Sequence, residues 1–255
     1  MGHRRSHLAV GTEEWLRATG GRLTLLQAVG ISTQGFTQII RARVPGRIRL
    51  SEAEASNQIA RVSASRKVLS LVLSSLQTHV LDRQGQGLLN HACRTFLLGA
   101  ALMPDEEFQR LDHTAAAVAA LAHDDGLLHP STPGSCFTAD SAIEASNMIS
   151  GLGLSDSTNV QARAAVISHF QPKLPMNSGA EAQLVALGAS ADVMGIGLKK
   201  IQPQLVSEIW QEWPDLGFLS EVKMLLKGEI SRAPRTRAGV LALSGMPYLL
   251  RKSRA

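Results

Sequence analysis

Residues 87–102 read Gly87-Leu88-Leu89-Asn90-His91-Ala92-Cys93-Arg94-Thr95-Phe96-Leu97-Leu98-Gly99-Ala100-Ala101-Leu102, and Pro104 follows. A mostly apolar run of this length, closed by a residue that cannot continue a helix, predicts a buried helix. The next segment predicts a second. Asp105-Glu106-Glu107 puts acids where a helix N-terminus favours them, and the chain runs through Ala115–Ala122 to His123, with Gly126 expected as the end. Upstream, Ser51 and Glu54 have capping-box spacing, and Val68, Leu69, Val72, Leu73 and Leu76 form one stripe. Downstream, Ser141 with Glu144 opens a helix expected to end near Gly151–Gly153. Val160, Ala164 and Ile167 mark another reaching His169, and Ser178 with Glu181 a third running to Asp192. Strand patterns are sparse between 51 and 230. The fold class expected is all-α.

The chain has 255 residues, 26 Lys+Arg and 21 Asp+Glu, with 44% hydrophobic and 18% charged side chains. That is apolar enough to bury a core and excludes a wholly disordered chain. The charge is uneven. Residues 1–50 sum to +6 and 222–255 to +7, leaving −8 between them, so the pI of 9.6 describes no single part. Three parts are expected: a basic N-terminal extension (1–50), a helical domain (51–230) and a basic C-terminal extension (231–255). Arg41-Ala42-Arg43-Val44 and Arg47-Ile48-Arg49-Leu50 alternate around Pro45-Gly46, a hairpin pattern, with a flexible basic extension as the equal alternative. Cys93 and Cys136 are too few for a disulfide framework, and no apolar run reaches membrane-spanning length. A cytoplasmic protein is expected, with no membrane partner. The basic ends read as appendages for partner contact or for lining a substrate channel.

Three of the apolar helices carry polar groups on faces that should be greasy. His91 shares a face with Thr95, Leu98 and Leu102; His123-Asp124 ends the alanine-rich helix; Asp192 lies on the side of Leu184, Val185 and Gly188. Each alone has an ordinary structural explanation, such as a hydrogen-bonded core histidine or a cap. Together, carboxylates and imidazoles facing one interior would repel or stay unsatisfied without a cation, whereas a divalent metal neutralises them.

The order His91…His123-Asp124…Asp192 resembles the H…HD…D pattern of the HD-domain metal-dependent hydrolase superfamily. The segments Asn90-His91-x-x-Arg94-x-Phe96-Leu97-Leu98-Gly99, Leu121–Leu127, and Ala189-x-Ala191-Asp192-Val193-x-Gly195 are similar to its cyanamide-hydratase-like branch, as are Phe137-x-x-Asp140-x-Ala142 and Ile167-x-His169. The similarity covers roughly residues 65–200. It implies an HD-domain helical bundle around a metal site, with His91, His123, Asp124 and Asp192 as ligands of one divalent transition metal. Zn, Fe and Mn all suit mixed His/Asp ligation, with Zn preferred. Such an ion makes a water nucleophilic near neutral pH. His169, Asp125 and Asp140 are the expected catalytic residues, for proton transfer or substrate hydrogen bonding. His129, Phe170 and Lys173 are the expected substrate-binding residues. Phe170-Gln171-Pro172-Lys173-Leu174-Pro175 departs from the branch, which puts cyanamide itself in doubt.

The function expected is a metal-dependent hydrolase or hydratase that adds water to a nitrile-, amide- or ester-like centre of a small molecule. Nucleotide phosphohydrolysis is the alternative. A non-catalytic, metal-stabilised module binding nucleic acid through its basic ends is a second. Against it stand only 3 Trp, 6 Phe and 1 Tyr, few platforms for stacking bases. Trp210, Trp213, Leu216, Phe218 and Leu219 read as core packing, with a homo-oligomer contact as the other option.

Overall fold

In the computed structural model, residues 8–43, 50–131, 133–174, 178–248 and 250 are described. The chain forms α1 (Glu13–Thr19), α2 (Leu25–Arg43), α3 (Glu52–Leu102), α4 (Asp105–Gln109), α5 (His113–Ala122), α6 (Asp125–Leu128) and α7 (Phe137–Gly151). Next come α8 (Asp156–His169), α9 (Gly179–Met194), α10 (Pro203–Glu212), α11 (Phe218–Arg232) and α12 (Arg237–Leu243). Among the described residues there is no strand, only an isolated bridge between Arg22 and Thr236. The all-α expectation is met.

α3 is two helices separated by Gly85, whose φ of 72° and ψ of 172° lie outside helical space. Ser51 Oγ caps the first, accepting from the Glu54 amide at 3.1 Å. The chain then folds back. Arg61 donates to the carbonyls of Ala100 and Ala101 at 3.1 Å, residues that a straight helix would carry about 58 Å away. The buried guanidinium thereby satisfies carbonyls of the last turn of α3 that have no partner within the helix, and it is held by Glu54 and Asp105.

α5 is the axis of the bundle, with α3, α7, α8 and α9 packed around it. Ala115 to Ala122 are buried on every side, because small side chains let neighbouring backbones close in from all directions. The closest approach is between α3 and α9. A Cβ on Gly188 would lie 2.6 Å from the Thr95 carbonyl carbon and closer still to its oxygen, and one on Gly99 would lie 2.9 Å from Leu184 Cγ.

Several boundaries differ from expectation, each for a local reason. The 105–123 helix is interrupted because Asp112 caps a new start, its Oδ1 accepting from the amides of Thr114 (3.0 Å) and Ala115 (2.9 Å). Gly126 lies inside α6 and packs so closely on Phe137 and Ser141 that a Cβ would not fit. Ser141 is a turn inside α7, where its hydroxyl accepts from the Gly126 amide instead of capping. Glu181 likewise reaches the Asp112 amide at 2.8 Å and not its own helix start. Of the expected α8 stripe Ile167 is buried, together with Ala162, Ala165 and Val166, while Val160 is exposed. Arg41 to Arg43, expected as one hairpin arm, form the last turn of α2; residues 44–49 lie outside the described residues. Packing of α2 on α12 outweighs the local alternation.

Candidate metal centre

His91 sits in the second half of α3, His123 closes α5, and Asp124 is the non-helical residue before α6, at φ −108° and ψ 0°. The α5–α6 junction thus aims two consecutive side chains at α3. His91, His123 and Asp124 are all buried and each offers a ligand atom within 4.8 Å of the others. His91 Nε2 lies 3.1 Å from His123 Nε2 and 3.5 Å from Asp124 Oδ2, and His123 Nε2 lies 3.4 Å from that same oxygen.

The hydrogen bonds on the far side of each ring decide what these atoms can do. His91 Nδ1 donates to Asp192 Oδ2 at 2.6 Å, His123 Nδ1 to the Ala120 carbonyl at 2.7 Å, and His169 Nδ1 to the Val166 carbonyl at 2.6 Å. In the neutral rings each Nε2 then carries a lone pair. Three such lone pairs face the Asp124 carboxylate, His169 Nε2 at 3.7 Å from Oδ1 and without a hydrogen-bond partner. Converging electron pairs with no proton between them fit a cation, and the donor set is the one that divalent transition metals take.

Charge at the cluster follows the same logic. Burial opposes a charged His91, but hydrogen bonds to Asp124 and Asp192 outweigh it and raise its pKa. Burial pushes His123 down to about 3. Burial alone would raise both carboxylates. The surrounding histidines instead hold Asp124 well below the usual range, and His91 with Arg94 brings Asp192 to about 2. The surroundings favour ionised carboxylates, which suits a cation at their centre.

Asp192 stands behind His91, not among the three converging ligand atoms. Its carboxylate is gripped by Arg94, with Nε to Oδ1 and Nη2 to Oδ2 both at 2.8 Å. An Asp that orients a ligating imidazole through Nδ1 is a common outer-shell arrangement of metal sites. Arg94 is itself held by the carbonyls of Trp213 and Pro214 at 2.8 and 3.1 Å, and the Phe218 ring stacks on His91 with centroids 4.1 Å apart. The Trp210–Leu219 run therefore wraps the back of the centre. Its aromatic content gave no sign of that role, since nothing in the local sequence says which helix it will meet.

His91, His123 and Asp124 open into a cavity of about 440 Å³, also lined by His169 and Phe170. Four other expected residues lie elsewhere. Asp125 turns away to Arg83 (2.6 and 3.1 Å) and Gln84 (3.2 Å), because consecutive residues at a helix start point in different directions. Asp140 binds Ser131 through its hydroxyl at 2.5 Å and its amide at 3.2 Å. His129 hydrogen-bonds the Arg83 carbonyl at 2.7 Å on the exterior, and Lys173 is exposed. None of these four lines the cavity.

Both cysteines are buried and free. Among the described residues no helix is long and apolar enough to cross a membrane. No protein-family model and no curated protein matches the chain.

Proposed function

We propose that the protein is a metal-dependent hydrolase or hydratase of the HD-domain type, adding water to a nitrile-, amide- or ester-like centre of a small molecule. The observation that carries the reading is the convergence of His91 Nε2, His123 Nε2 and Asp124 at the base of a cavity. A divalent ion held there supplies an activated water and a Lewis acid for the substrate's heteroatom. The chain's own residues do the rest. Asp192 and the Ala120 carbonyl fix the two ring orientations. His169 Nε2, buried and facing Asp124, is the group that can take a proton from the attacking water and return one to the leaving atom. Phe170 forms part of the cavity wall.

The phosphohydrolase alternative has less support, because no Lys or Arg lines the cavity among the described residues, and phosphoryl transfer relies on cationic clamps. The test is metal analysis of the purified protein by mass spectrometry beside a hydrolysis panel of nitriles, amides, esters and nucleotides. His123→Ala and Asp124→Ala should each lose bound metal and turnover while keeping helical circular dichroism. Undiminished metal or turnover in either variant would overturn the reading.

A further inference from the structure

The described parts of the two basic ends, α2 and α12, meet at the metal cavity. α2 and α12 pack on one another, the Leu23 amide donates to the Arg235 carbonyl at 2.8 Å, and Ser32 and Ser244 share a hydrogen bond at 2.8 Å across 212 residues of sequence. Among the described residues, what these ends present to the cavity is uncharged: Ser32, Thr33, Gly35 and Thr37 from α2, Leu241 from α12, and Met246 and Leu250 beyond it. Their cationic groups, where described, are directed elsewhere. Arg237 is fully buried against the Trp15 ring at 5.1 Å and donates to the Ile167 carbonyl at 2.6 Å, Arg22 reaches the Gly134 carbonyl at 3.4 Å, and Arg17 pairs with Glu13 at 2.7 Å. Val222 and Leu226 of α11 and Val193 and Met194 of α9 complete an apolar wall.

We infer that α2 and α12 form a roof that selects an uncharged substrate with an extended alkyl or aryl body, the body lying under the roof and the reacting group at His91, His123 and Asp124. The inference rests on the proposed metal chemistry only for the orientation of the substrate; the selection itself is a property of the wall. Three features support it. The volume, about 440 Å³, is that of a small-molecule site and far exceeds what a nitrile or amide group alone requires. A charged body would lose its hydration and find no described Lys or Arg on the lining in return. The hydroxyls of Ser32, Thr33, Thr37 and Ser190 offer neutral hydrogen bonds at isolated points of an otherwise apolar surface. Substrate choice is thus shared between segments outside 65–200, which supply the roof, and α9 inside that stretch, which supplies Ser190, Val193 and Met194.

The test uses the full chain stripped of metal. Binding is read by displacement of N-phenyl-1-naphthylamine, a neutral probe that fluoresces in apolar surroundings, with primary amides from acetamide to decanamide as competitors. Affinity should rise by roughly fourfold per methylene until the cavity is filled, the factor expected for burying a CH₂. Hexanoate and hexyl phosphate should bind at least tenfold more weakly than hexanamide. Leu241→Ala, which enlarges the roof, should move the best chain length upward. Gly35→Val should move it downward, because its new side chain would lie against Leu241 Cδ2, 3.2 Å from the Cβ position. A chain-length profile that is flat in the unmutated protein, or hexyl phosphate binding as tightly as hexanamide, overturns the inference. Separate metal analysis distinguishes the two readings: amide binding with the expected profile in a protein that never takes up metal sinks the proposed chemistry and leaves the roof standing.

Discussion

Replacing Gly188 by Ala should open the metal centre without touching any residue in it. The added Cβ would lie 2.6 Å from the Thr95 carbonyl carbon and 3.0 Å from the Gly99 amide nitrogen. All of these are backbone atoms of α3, which cannot swing aside as a side chain does. Ordinary carbon contacts begin at about 3.5 Å and the Thr95 oxygen lies closer still, so α9 must retreat by more than about 1 Å. Asp192 lies four residues along α9, and His91 lies four residues before Thr95 on α3. Their 2.6 Å hydrogen bond would stretch past hydrogen-bonding range. Overpacking costs about 3 kcal/mol, at the upper end for a rigid contact, and the better helix propensity of Ala returns about 1 kcal/mol. The net loss of about 2 kcal/mol should lower Tm by roughly 4–8 °C in a chain of this size. Calorimetry reads the first effect and a competitive zinc titration the second, with affinity falling about tenfold as His91 loses its orienting partner. Gly228→Ala in α11 is the control, because a Cβ there meets nothing within 4 Å; it should stabilise by up to about 1 kcal/mol. An unchanged or raised Tm for Gly188→Ala, with zinc affinity intact, would refute the close-packing argument.

Three further outcomes are expected. Arg94→Met leaves the Asp192 carboxylate buried with its guanidinium partner gone, so denaturant unfolding should show a loss of about 3–5 kcal/mol, and normal stability would contradict the geometry. Asp125→Asn breaks the contact with Arg83 away from the cavity; it should lower stability by about 1–3 kcal/mol while leaving turnover per folded molecule intact, and a selective loss of turnover would restore Asp125 as a proton-transfer group. Cys93, whose thiol burial pushes far up, and Cys136, also buried, should not react with Ellman's reagent until the protein unfolds; stoichiometric labelling of the native protein would show that α3 or α7 opens.

What could be read from the sequence was what depends on local pattern. The apolar runs around His91 and before His123 announced buried helices, and their polar interruptions announced a cluster, because an ionised group in such a run needs a partner wherever it ends up. Direction was not readable. Asp124 and Asp125 are adjacent and chemically identical, and only the turn at the α5–α6 junction sends one to the cavity and the other to Arg83. Partners distant in sequence were equally hidden. Arg94 was visible in a motif, but its grip on Asp192 and on the Trp213 and Pro214 carbonyls depends on how α9 and the segment before α11 dock. The alternation at Arg41–Arg43 misled because strand periodicity over a few residues is weaker than the packing of a long helix against α12.

The roof has a consequence for the order in which the centre is assembled. Chains are made from the N-terminus, and His91, His123 and Asp124 all leave the ribosome before α11 and α12. Until α12 docks on α2, the cluster would lack one side of its cavity and would stand more open to solution. Once Leu241 and Met246 are in place, that side of the cavity is lined mainly by apolar side chains, with the hydroxyls of Ser32, Thr33 and Thr37 as its few polar points. If the centre takes an ion, loading would be easiest before the terminal helices dock, and exchange in the finished protein would be slower.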